Sequence, residues 1–186
     1  MQNLGLSDST PKTESRLKSL FWPTITSDVD VDYLTTQGFW VCTVIAVLTI
    51  LLGHMFAWAM WFAALFYFLG AMGVRERSRF AALAMFISYA LAGFVAQKLT
   101  GNGFGIVQIL FLALLLANVR AVWIADAWRQ TNQPDESPAR MQDTAMDIIS
   151  DQLPAAVWPI GRFAFYVAAC LEIAAELWAL ALPRPR

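Results

Sequence analysis

Three ionisable residues lie inside the last apolar stretch of the chain: Arg162, Glu172 and Glu176, within positions 157–182. At roughly 100° per helical residue they fall within about 80° of one another, so a helix carries them as a single polar stripe. A charged group inside a bilayer is expensive to hold, and a carboxylate there reads first as an ion, proton or substrate site. If the helix spans, Glu172 lies about 15 Å deeper than Arg162, at roughly 1.5 Å per residue. The competing structural reading makes the stripe the wet face of an interfacial helix, or a set of ion pairs that locks the helix onto its neighbours.

Nothing else in the chain has the residue types and spacing of a reaction centre. His54 is the sole histidine, which excludes a two-histidine haem or a multi-histidine metal site, and at a membrane turn water satisfies it. Gly101, Gly103 and Gly105 have neither a preceding strand nor a following Lys-Ser or Lys-Thr pair, so they read as turn residues rather than a phosphate loop. Gly-x-Ser-x-Gly, His-Glu-x-x-His, Cys-x-x-Cys and Walker patterns are all missing. Accordingly no catalytic residue, metal ligand or cofactor is assigned. Cys42 and Cys170 both fall in apolar runs and read as small buried hydrophobes. Ala113, Ala117, Ala121 and Ala125 recur at every fourth position, a smooth strip along which another helix can approach closely; Leu115 is expected on the lipid side of that strip.

The elements that position these residues follow from charge spacing. No Asp, Glu, Lys or Arg occurs from Gly38 to Val74, a run too long to cross a hydrocarbon core of about 30 Å once, so it must double back. From Phe80 to Val119 the only charge is Lys98, and the Gly101-Asn102-Gly103 turn divides the block. Spans are predicted over 33–52, 55–74, 80–97 and 104–125. The fold class is therefore an all-α integral membrane protein: two tandem helical hairpins, giving four transmembrane helices, plus a fifth C-terminal helix that is membrane-inserted or interfacial. The expected organisation is a flexible polar tail with a short interfacial anchor over 1–32, the four-helix region over 33–129, a linker with a short amphipathic helix over 130–152, and the membrane-associated helix over 153–186. Ser27 is placed as the cap of the first helix, with Asp28, Asp30 and Asp32 in its first turn. All eight tryptophans are expected near segment ends, at the membrane surfaces.

Composition agrees: the chain is 58% hydrophobic and 15% charged, where soluble domains carry charge on about a quarter of their residues. A net charge of -1 offers nothing to nucleic acid. Lys12, Arg16, Lys18, Arg75, Arg77, Arg79, Arg120, Arg129 and Arg140 lie on one side of the four-span arrangement and only Lys98 on the other. By the positive-inside rule the N-terminus is cytoplasmic, in a cell membrane crossed several times. The expected partners are the lipid bilayer and either other membrane subunits or further copies of the chain. The expected function is that of a non-catalytic accessory or scaffold component; the alternative is a small transporter or channel using Arg162, Glu172 and Glu176.

Overall fold

A computed structural model describes residues 21–53, 58–131 and 145–183. The tail and most of the anchor, the His54 turn, the 132–138 linker and the start of the amphipathic helix lie outside the described residues. Those described form five helices and no strand: α1 (Asp28–Gly53), α2 (Trp58–Arg75), α3 (Arg79–Thr100), α4 (Ile106–Thr131) and α5 (Ala145–Ala181). Four of them, α1, α3, α4 and α5, are long and apolar enough to cross a membrane, and α2 is a shorter apolar helix. The all-helical class is as expected, but the set of four long apolar helices is not: the span predicted over 55–74 corresponds to the shorter α2, and the C-terminal α5 is among the four.

Local chemistry sets the helix ends. Ser27 and Asp30 form a reciprocal cap on α1: the Asp30 backbone N–H donates to Ser27 Oγ at 3.3 Å, and the Ser27 N–H donates to Asp30 Oδ2 at 3.1 Å. Between α2 and α3 the chain turns at Arg77, with φ 56°, and Ser78 then accepts from the Ala81 N–H to start α3. Gly101, at φ 73°, closes α3 in the left-handed conformation that favours glycine, its N–H bonded to the Gln97 carbonyl.

α5 departs from expectation in two ways. It begins at Ala145 and runs unbroken to Ala181, so the expected division at 152/153 falls inside one helix that contains Pro154 and Pro159. Trp158 is buried rather than placed at a segment end, because its ring fills the space left by Gly73 of α2; a Cβ there would lie 2.4 Å from the ring. Higher up, Gly161 meets Leu69 and Phe165 stacks on Phe66 with ring centroids 5.4 Å apart. This ladder of contacts runs α5 antiparallel to α2.

α1 packs on α2 and α4, while α2 and α3 pack on each other and both receive α5, so the two hairpins form a bundle with α5 in the seam. Close approach depends on missing side chains. Gly38 of α1 lies against Asn118 and Val74, Gly70 against Met85, and Gly93 against Gln108. Ala117, Ala121 and Ala125 are buried against Ile25, Val31 and Leu34, so the strip on α4 faces α1 of the same chain. Leu115, expected toward lipid, is buried instead: α4 has a second inward face, and Leu115 and Val122 join the main core.

Ala121→Leu should therefore lower stability by about 1–3 kcal/mol, since a fully enclosed position must accept extra carbons. Leu116, exposed on the outer side of α4, supplies the comparison: Leu116→Ala should change stability by no more than about 0.5 kcal/mol. Unfolding of the helical signal in detergent measures both, and equal midpoints would refute the packing of α4 on α1.

Candidate functional site

Among the described residues the polar contacts centre on Arg75, which charge spacing alone marks only for topology. Arg75 ends α2 and is 2% exposed. Its Nη1 donates to Asp32 Oδ1 at 2.7 Å, to the Asp32 carbonyl at 3.3 Å and to Thr35 Oγ1 at 3.1 Å. Nη2 donates to Asp32 Oδ2 at 3.3 Å and closely to Asp151 Oδ1, while Nε donates to the same Asp151 oxygen at 3.1 Å. Nε also donates to the Ser150 carbonyl at 3.2 Å.

The sequence bears on that carbonyl. Residue 154 is proline, which has no N–H to return to the carbonyl four residues earlier. Pro154 cannot supply the usual i+4 donor to Ser150, and the guanidinium donates to that carbonyl. One planar cation thus joins α1, α2 and α5, and its delocalised fork of five N–H donors suits such convergent acceptors.

Around this centre the same end of the bundle carries further pairs. Arg77 lies 3.4 Å from Asp28 and 3.6 Å from Asp32, and Arg79 lies 2.8 Å from Asp126 of α4. Arg120 donates to the Pro23 carbonyl at 2.8 Å and stacks over Trp22, 4.8 Å from the ring centre, which fastens the entry segment to α4. Asn118, buried, donates to the Leu34 carbonyl at 3.0 Å. At the opposite end Lys98 donates to the carbonyls of Ala179, at 3.1 Å, and Leu180, at 2.6 Å, and closely to that of Leu182. A cation on the last carbonyls of α5 complements the negative end of its helix dipole.

The three expected site residues do not come together. Arg162 is exposed and makes no ion pair among the described residues. Glu172 is half-buried and Glu176 is 9% exposed, both on the inward face that also carries Trp158, Phe165 and Ala169. The helix ladder sets their level: Trp158 is beside Gly73, close to the Arg75 end, and Lys98 holds the carbonyls from Ala179 onward. Glu176 therefore lies within a turn of the Lys98 latch, and Glu172 one turn further in. Glu172 and Glu176 are both within electrostatic reach of Tyr67 on α2. No group of three or more metal-binding side chains occurs among the described residues. The strip residues Ala117, Ala121 and Ala125 are consumed by α1, and Ala113, half-buried, continues their line.

An open apolar groove of about 370 Å³ runs between α1 and α4, lined by Tyr33, Thr36, Gln37, Trp40, Val41, Val44 and Phe111. It contains no acid–base pair or nucleophile. No family model, no curated protein and no solved structure matches the chain.

Arg75→Met should destabilise the bundle by about 3–5 kcal/mol, because it breaks a buried ion-pair centre that joins three helices. Arg79→Met removes a pair whose arginine side chain is 50% exposed and should cost only about 0–1 kcal/mol. Thermal or denaturant unfolding in one detergent ranks the two. Equal losses would show that the Arg75 centre is no more than a surface pair.

Proposed function

We propose that the chain is a multi-pass membrane protein that works without catalysis, as an accessory or scaffold component of a membrane assembly. The observation that carries this reading is the distribution of polarity. Charged side chains pair with one another at the Arg75 end, while the outer surface between the ends is, apart from exposed Arg162, apolar and aromatic. Ile160 is 85% exposed and Phe163 76% exposed, with Val167, Leu171 and Trp178 following along α5. Phe62, Leu65, Val107 and Ile109 extend that exterior onto α2 and α4. A surface of this extent on a soluble monomer would drive association, whereas lipid and other membrane helices cover it readily.

In this reading the Arg75 end is cytoplasmic, as is the N-terminus, and the Lys98 end faces outward, on the strength of the basic asymmetry. All five helices are taken to cross, with α5 antiparallel to α2. The transporter or channel reading stays in second place on one specific observation, the inward placement of Glu172 and Glu176, and it proceeds without Arg162.

Topology is tested by cysteine labelling in a background where Cys42 and Cys170 are replaced by alanine. Asn102→Cys should react with an impermeant reagent from outside and Gln130→Cys only after the membrane is opened; Ser78 is avoided because its hydroxyl caps α3. The reverse pattern would invert the orientation.

The assembly role is tested with photoactivatable residues at Phe163, Leu171, Ile109 and Phe62 in native membranes. A discrete protein adduct from one face is expected, and lipid adducts alone from every face would remove the scaffold reading. Proteoliposomes separate the competing class: a cation or proton flux that Glu172→Gln abolishes would favour a transporter.

A further inference from the structure

Glu176 is a buried carboxyl group, among the described residues, that has an oxygen without a hydrogen-bond donor. Its Oε2 has no hydrogen-bond partner, although the residue is only 9% exposed. Glu172 lies one turn away on the same inward face, and each lies within electrostatic reach of the other. Ionisable groups face them from the packed helices, and among the described residues no cation forms an ion pair with either carboxyl. From α2 comes Tyr67, itself buried, and behind it lie Tyr89 of α3 and Cys42 of α1. From α3 comes Lys98, whose ammonium is engaged by three carbonyls at the end of α5. Arg162 is exposed and lies about 15 Å along the helix from Glu172, at roughly 1.5 Å per residue, beyond the reach of an ion pair.

Two carboxylates one turn apart, one of them desolvated and without a donor, cannot both stay ionised cheaply. An unpaired carboxylate in an apolar surround is resolved by neutralisation, and like charges sharing a site reinforce that. We infer that Glu172 and Glu176 form a proton-binding carboxyl pair inside the bundle, with Glu176 holding the proton and half-buried Glu172 the member through which it exchanges. The inference goes beyond the scaffold reading and does not depend on it, because it concerns what the bundle binds rather than what it assembles with.

Contrast with Arg75 supports the assignment. There, burial of a charge is met by seven hydrogen bonds that Arg75 donates to four residues, Asp32, Thr35, Ser150 and Asp151. At Glu176 the fold supplies no donor to Oε2, which a protonated carboxyl tolerates far better than a carboxylate does.

The test is infrared spectroscopy of the full-length protein in liposomes at neutral pH, in water and in heavy water. The parent should show a protonated-carboxyl C=O band that shifts on deuteration and fades as pH is raised. Glu176→Gln should remove it entirely. Glutamine has the shape and neutrality of the protonated acid, so this variant should keep the parent's melting temperature. Three results would overturn the inference: no such band in the parent at neutral pH, a band that persists in Glu176→Gln, or a large drop in that variant's melting temperature, which would mean the parent relies on the charge. Stabilisation of the parent by sodium chloride over choline chloride, with carboxylate absorption only, would place a metal cation there and overturn it equally.

Discussion

The bundle depends on one buried guanidinium. Removing Arg75 from water is costly, and the cost is met only where acceptors from several elements converge on it. Asp32 and Thr35 come from α1, while Ser150 and Asp151 come from α5. Each must be at the right height and rotation, so the cation that ends α2 sets the register of both neighbours. Apolar packing alone is forgiving of a helix sliding by a turn; a fork of directed hydrogen bonds is not. Pro154 belongs to the same device, since it has no N–H to donate to the Ser150 carbonyl that Arg75 takes up.

From that end the contacts rise in order. Trp158 fits over Gly73, Gly161 over Leu69 and Phe165 on Phe66, and Lys98 then holds the last carbonyls of α5. Small residues opposite large ones recur at the other crossings too, with Gly70 under Met85 and Gly38 against Asn118. In lipid the hydrophobic effect does not draw apolar helices together, so close van der Waals contact and a few polar anchors must supply the association. Such packing at the crossings and anchors at both ends meet that requirement.

The two buried ionic regions are handled in opposite ways. Arg75 is surrounded by acceptors, whereas Glu176 is surrounded by groups that give its free oxygen nothing. Arg75 is held as a charge among acceptors and anions, whereas Glu176 has only another carboxyl one turn away and is inferred to be held neutral. The open groove between α1 and α4 stands apart from both, being lined mainly by apolar and aromatic side chains.

Much of the architecture was legible in the chain because it follows from composition and spacing. Uncharged runs longer than one bilayer crossing required helices that double back, and Gly101 and Ser27 marked helix ends by local backbone chemistry. The fourfold alanine spacing identified a packing face, since small side chains at helical period admit a neighbour whatever its identity. Sequence spacing did not decide which partner a charge would find. Arg75 and Asp151 are 76 positions apart, and no local rule distinguishes that arginine from Arg77 or Arg79. Nor did helical phase reveal that Arg162 would be exposed while Glu172 and Glu176 turn inward, or that Leu115 and Trp158 would be core. Phase within one helix fixes which residues share a face, but which face is buried, and against what, is decided only when the other helices arrive.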